Sequence, residues 1–319
     1  MHDSFGREIN YMRVSITDRC NLRCAYCMPH GIEPLIHADI LRYEEILRIC
    51  KAVAKLGIQT VKVTGGEPLV RKGCIEFLKA LKFEVKKVTI TTNGVLLEQY
   101  VPELAKMKID GVNISLDSLN ADVYKKITGG LDSAGDNLSA VLRSLNKTVE
   151  AGLHVKINCV PMHGINDTEI IPIARLAEKL PINVRFIERM PVTSQKSLDR
   201  VSGAEILARL KEEYPDLADD TTRRGFGPAR YFKSGKMKGS VGIIDAIGGC
   251  FCRNCNRVRL TSNGFLKLCL FHGDGLNLRD LLREGADDFE IESQISAEIG
   301  RKPKQYQNKN IVNMPQIGG

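Results

Sequence analysis

Six short β-rich segments, each followed by sequence able to form a helix, limit this chain more than any other feature. They are MRVSIT (12–17), TVKVTG (60–65), KVTITT (87–92), GVNISL (111–116), HVKINCV (154–160) and NVRFIE (183–188). Between the first two, Ile46, Ile49, Cys50 and Val53 share one face of a helix that Gly57 ends. Before the fifth, Leu138, Val141, Leu142, Leu145 and Val149 make a second apolar stripe, ended by Gly152. Before the sixth, Asn166 or Asp167 can cap a helix carrying Ile170, Ile173, Ala177 and Leu180, with Pro172 in its first turn. Such alternation makes βαβ units and a parallel sheet, an α/β fold that right-handed crossovers can close into a full or partial barrel. Ligands bind these folds at the C-terminal ends of the strands. Here those ends read DRCNLRC, GGEP, TNG, LDS, PMHG and ERMP, which points to one polar, glycine-rich site drawing on all six.

After residue 190 the rhythm breaks. Ser202 and Glu205 form a capping box for a helix ending before Pro215, and RYFKSGKMKGSVGIID reads as a hairpin turning at Ser234-Gly235-Lys236. A further helix is expected near 278–285, and the closing RKPKQYQNKNIVNMPQIGG is basic, polar and weakly patterned, like a frayed tail. Two domains follow, 1–190 and 191–319. With 43% hydrophobic and 26% charged residues, the chain is neither collagen-like, disordered nor a coiled coil. It has no apolar run near the ~18 residues of a membrane span and no signal-peptide core at its start, so we expect no membrane partner and a cytoplasmic location. The formal charge of +8 suits an anionic partner without saying which one.

Ten cysteines are far fewer than a disulfide scaffold needs, and in a reducing compartment clusters of them mean metal or redox chemistry. Cys50, Cys74 and Cys159 stand alone and read as packing residues. Cys20, Cys24 and Cys27 form C-x3-C-x2-C on a loop leaving the first strand. Three thiolates so spaced can hold one face of an iron–sulfur cube and leave one iron open to an exchangeable ligand; a zinc site completed by His30 or His37 is the alternative. Cys252, Cys255 and Cys269 offer a second set. There His272 would complete a tetrahedral zinc site, so spacing alone leaves zinc and iron–sulfur even, with Cys250 a bystander. Arg257 and Arg259 follow on one face of a short strand and form a carboxylate or phosphate site if they act together.

Cys20-x3-Cys24-x2-Cys27 with Tyr26 before the last cysteine, joined by TGGEP after the second strand, resembles the radical S-adenosylmethionine superfamily. The resemblance implies a partial (β/α)6 TIM-like barrel, with a smaller C-terminal α+β region carrying the second cluster. Further along, CFCRNCNRVRLTSNGFLKLCLF resembles the GTP 3′,8-cyclase family of molybdenum cofactor biosynthesis, as do VTGGEPLVR, TTNG, NISLDS, GINDTEI, RFIERM, GPARYF and the terminal Gly-Gly. That likeness runs almost the whole chain.

The cyclase resemblance implies two [4Fe–4S] clusters, held by Cys20, Cys24 and Cys27 and by Cys252, Cys255 and Cys269. It assigns Tyr26, Gly66, Ser115 and Met190 to S-adenosylmethionine. Arg13, Lys62, Thr91, Lys156, Arg257, Val258 and Arg259 fall to GTP, and Arg257, Arg259, Gly318 and Gly319 to the catalytic centre. Lys62 departs from relatives that carry Arg, keeping the charge and losing the planar fork. A 5′-deoxyadenosyl radical would abstract the ribose 3′ hydrogen, and C3′ would then attack guanine C8. Implied partners are a reduced flavodoxin or ferredoxin-type donor, a downstream cyclic pyranopterin monophosphate synthase and a second copy of the chain in a homodimer. Two rivals stand beside this reading: a radical enzyme with an auxiliary cluster acting on a peptide, and a non-catalytic metal module touching RNA. The sparse aromatic residues argue against nucleic acid, because stacking platforms need them.

Overall fold

The structure, a computed structural model, describes residues 1–28, 34–129, 136–190, 199–222, 225, 227–245, 250–271 and 275–305. All six expected strands form: β1 (Tyr11–Ser15), β2 (Thr60–Thr64), β3 (Lys87–Thr92), β4 (Gly111–Ser115), β5 (Val155–Cys159) and β6 (Asn183–Ile187). Beyond them lie β7 (Ala218–Asp220), β8 (Arg230–Lys233), β9 (Ser240–Ile244), β10 (Arg257–Leu260), β11 (Phe265–Lys267) and β12 (Leu276–Asn277).

The described residues divide into two compact units, Met1–Asn21 with His30–Thr91 and Cys252–Gly319, and Leu22–Pro29 with Thr92–Phe251. In the first, β10, β1, β2 and β3 run parallel side by side, and β11 and β12 continue antiparallel beyond β10. In the second, β4, β5, β6 and β9 run parallel, with β8 and β7 antiparallel beyond β9. The C-terminal strands therefore extend parallel sheets begun by N-terminal ones. Strand alternation sorts the two faces. Met12, Val14, Val61, Val63, Val258 and Leu260 are fully buried on one face of the first sheet, while Arg13, Lys62 and Arg259 occupy the other. Each such aliphatic burial stabilises the sheet by about 1.5–3 kcal/mol.

The helix Tyr43–Lys55 buries Ile46, Ile49, Cys50 and Val53, as its spacing demands. In the helix Asn137–Glu150, Leu138, Val141 and Leu145 are buried, but Ser144 and Thr148 share the stripe and Leu142 and Val149 are only half-buried. Those hydroxyls are satisfied, Ser144 donating to the Gly94 carbonyl at 2.8 Å and Thr148 to Ser144 at 2.6 Å, so their burial is tolerated. The segment after Asn166 is not one helix: a 3-10 turn, Asp167–Glu169, precedes the short helices Ile170–Ala174 and Leu176–Lys179. Asn166 caps nothing, because its side chain accepts from the Met162 amide at 2.7 Å and donates to the Asp117 carbonyl at 2.8 Å. Ser202 does cap Gly203–Glu213, accepting from the Glu205 amide. The hairpin of β8 and β9 turns where expected, and the helix Leu278–Arg283 forms. One helix the sequence reading omitted, Asp288–Gly300, buries Ile291, Ile295 and Ile299. Among the described residues, no helix is long and apolar enough to cross a membrane.

Candidate active site

The loop after β1 is held by backbone. In the first unit, Gly66 donates to the Thr17 carbonyl at 2.7 Å and Glu67 to the Arg19 carbonyl at 2.8 Å, so the TGGEP segment lies flush against the residues leading to Cys20. A Cβ on Gly66 would fall inside contact distance of the Arg19 and Asp18 carbonyl oxygens, and one on Gly65 would lie 2.7 Å from the Thr17 oxygen. Only glycine permits that approach. In the second unit, Arg23 and Ala25 donate to the Thr128 and Ile127 carbonyls, both at 2.9 Å. Cys27 donates to the Cys24 carbonyl at 2.9 Å, so the C-x2-C pair closes one turn.

Tyr26 turns its hydroxyl to Asp117, just past β4, at 2.8 Å. The other Asp117 oxygen accepts from the Val160 amide at 2.8 Å. Burial raises the Asp117 carboxyl to about 6 against the pull of these hydrogen bonds. Burial, then Asp117 and Cys24, push the Tyr26 phenol well above its ordinary value. Ser115 ends β4 half-buried, and Met190 is half-buried after β6.

The polar face of the first sheet carries a cationic row. In register, Arg13 stands between Arg259 on β10 and Lys62 on β2, Lys267 flanks Arg259, and Thr89 flanks Lys62. Arg257 pairs with Tyr11 one step earlier, and Lys62 sits 6.0 Å from the Tyr11 ring centre. Burial first, then the charges of Arg13 and Arg257, push the Arg259 guanidinium well below its usual value. Thr89 and Thr91 have buried hydroxyls with no hydrogen-bond partner. Val258 is fully buried, on the opposite face from its two arginine neighbours.

In the second unit, Asn113 on β4 pairs with Lys156 on β5, and Asn158 with Arg185 on β6. Arg185 donates to the Asn113 and Asn158 amide oxygens, both at 2.6 Å, while its buried Nε has no partner. The sequence reading missed Arg185. Its alternation with Val184 and Phe186 in NVRFIE was the available signal.

The second cysteine group repeats the turn of the first, Cys255 donating to the Cys252 carbonyl at 3.3 Å. Burial opposes ionisation of Cys255, yet the charges of Lys302 and Arg257 overcome it and hold the thiol below its usual value. All six grouped cysteines are half-buried and free of disulfides, whereas Cys50, Cys74 and Cys159 are buried. Burial pushes those three thiols up, as inert packing residues require. Half-buried thiols outside any disulfide, in turned C-x2-C pairs and with a depressed thiol in one group, fit iron–sulfur ligation. Among the described residues, no three Cys, His, Asp or Glu gather closely enough to hold a single ion. His30, His272, Gly318 and Gly319 lie outside the described residues, as does the Cys250 side chain.

The radical SAM superfamily model matches residues 14–177, and the Molybdenum Cofactor Synthesis C model matches 182–308. Streptococcus suis SuiB bound to S-adenosylmethionine superposes with a TM-score of 0.66 at 18% identity, covering 97% of this chain and 77% of that one, which is likeness of fold. Fold and cysteine loop together define a radical S-adenosylmethionine protein. The GTP 3′,8-cyclase of Clostridium perfringens (strain SM101) is 44% identical over 314 residues, spanning 97% of this chain and 95% of its own. That of Geobacter sulfurreducens is 42% identical over 99% of both chains. The chain belongs to the GTP 3′,8-cyclase family.

Proposed function

We propose that this protein converts GTP to (8S)-3′,8-cyclo-7,8-dihydroguanosine 5′-triphosphate, the first step of molybdenum cofactor biosynthesis. The observation that carries the substrate reading is the row Arg259–Arg13–Lys62 on neighbouring strands, with Arg257 beside it. Cations gathered on one face of a sheet attract a polyanion, and a triphosphate of about four negative charges is one.

When bound, two [4Fe–4S] clusters and S-adenosylmethionine supply the radical chemistry that removes the ribose 3′ hydrogen and joins C3′ to guanine C8. Cys20, Cys24 and Cys27 hold the first cluster, and Cys252, Cys255 and Cys269 the second. Tyr26, Gly66, Ser115 and Met190 seat S-adenosylmethionine, with Asp117 fixing Tyr26. Arg13, Lys62, Lys156, Arg257 and Arg259 hold the phosphates, and Thr91 offers its unused hydroxyl. Val258 offers only backbone, since its side chain faces the core. The family resemblance gives Gly318 and Gly319, which have no side chains, a place at the reacting centre. Anchoring cofactor and substrate separately matters because a misplacement of about 1 Å costs ~100-fold. We further propose a barrel domain over 1–190 and a substrate-cluster region over 191–319. The protein is read as a cytoplasmic homodimer, fed by a flavodoxin or ferredoxin-type donor and delivering product to a cyclic pyranopterin monophosphate synthase.

Anaerobically loaded protein, given reductant, S-adenosylmethionine and GTP deuterated at C3′, should release 5′-deoxyadenosine carrying one deuterium, with matching loss of GTP. Labelled 5′-deoxyadenosine is the decisive species. Unlabelled 5′-deoxyadenosine with intact GTP would refute the substrate, and no 5′-deoxyadenosine would refute the radical chemistry.

A further inference from the structure

Lys302 stands in the basic C-terminal run that reads as frayed, yet it is only 2% exposed. Its ammonium donates to the Arg257 carbonyl at 2.8 Å and to the Leu268 carbonyl. Arg257 lies two residues past Cys255, and Leu268 immediately precedes Cys269. One side chain thus ties together the two segments that bring these cysteines. Burial disfavours its charge, and the groups that act the other way, in favour of the ammonium, are first Cys255 and Cys269. Among the described residues, no carboxylate lies within ion-pairing distance of it.

Arg7 locks the same neighbourhood from behind. It donates to the Cys252 carbonyl at 2.9 Å, to Pro303 at 2.7 Å and to Lys304 at 3.2 Å, and Asp3 holds its Nε at 2.5 Å. The backbone around Lys302 is therefore fixed to the backbone of Cys252. A buried ammonium facing only carbonyls is costly, and a lysine near a chain end could reach water cheaply. Its burial calls for an anion, and the anions at hand are the cysteine sulfurs.

We propose that Lys302 is a positioning residue that acts as the internal counter-cation of the second iron–sulfur centre, stabilising its reduced state and pinning both ligand segments. The inference rests on reading Cys252, Cys255 and Cys269 as the ligands. Reduction adds one negative charge to a buried centre, so a fixed cation beside it favours the reduced form.

The test uses the full chain with Cys20, Cys24 and Cys27 changed to Ser, so that only the second group takes up iron. Lys302→Met and Lys302→Arg are made in that background, loaded anaerobically and titrated with reductant while the paramagnetic signal is followed. Lys302→Met should make reduction at least tenfold less favourable, about 59 mV for a one-electron couple, and Lys302→Arg should stay near the background. Should Lys302→Met lose its iron, chelator-driven release decides instead: rapid loss from Met with retention in Arg supports the counter-cation, and equal loss from both overturns it. Equal potentials in all three proteins overturn this inference alone. A background that binds no iron overturns the ligand reading together with it.

Discussion

The two cysteine groups share one turn and differ in everything around it. In both, the last cysteine of a C-x2-C pair donates to the carbonyl of the first. Around the first group the fixtures are backbone and a carboxylate: the flush glycines of TGGEP in one unit, and Tyr26 with Asp117 in the other. Around the second they are cations, with Arg7 on the Cys252 carbonyl, Lys302 beside Cys255, and Arg257 and Arg259 on the strand that follows. Similar cysteine turns thus sit among opposite neighbours. Glycine backbone and a carboxylate suit a sulfonium-bearing zwitterion, and guanidiniums suit a polyphosphate.

The comparison breaks most sharply at Gly66. Gly66→Ala drives a methyl group into the Arg19 carbonyl and displaces the loop to Cys20. We expect 5′-deoxyadenosine formation to fall by ~100-fold or more, with GTP affinity retained in equilibrium dialysis; loss of both activities together would mean the two groups are not separately built. Next comes Arg259→Met, which removes a charged donor from the other side of the comparison. GTP binding should weaken by about tenfold or more, since a hydrogen bond to a charged group is worth ~1.5–3 kcal/mol. Iron content of both groups should hold, and an unchanged GTP dissociation constant would remove Arg259 from the phosphate site.

A third effect is a pH slope. The Asp117 carboxyl sits at about 6 in the folded chain, against an ordinary value of ~3.9. Between those values the folded state keeps a proton that the unfolded state releases, so this group's contribution to stability declines as pH rises from about 4 to about 6. Asp117→Asn removes the titration. Relative to the parent, the variant should gain up to about 3 kcal/mol between pH 4 and pH 7 in urea unfolding. Parallel pH profiles for the two proteins would show that Asp117 does not titrate this way.

Much of this was legible because it depends on short-range spacing. Strand alternation marked six strands, and it also held the signal for Arg185, which went unread between Val184 and Phe186. The spacing of Cys20, Cys24 and Cys27, and the companion TGGEP, identified the loop and its glycines before any contact was visible. Asn166 shows the limit: its type fits a helix cap, but Asp117 and Met162 compete for the same side chain from distant sequence. The tail shows it again, since nothing in RKPKQ distinguishes the buried Lys302 from its solvated neighbours.

The sequence by itself determined the α/β alternation, the two cysteine groups and the family, because periodicity, cysteine spacing and turn glycines are local properties of a chain. Tertiary structure decided which cations become neighbours. Register across β10, β1 and β2 sets Arg259, Arg13 and Lys62 side by side from positions far apart in sequence. It also decided which lysine is buried, because desolvation and charge balance depend on what the folded chain packs around a residue and not on its type.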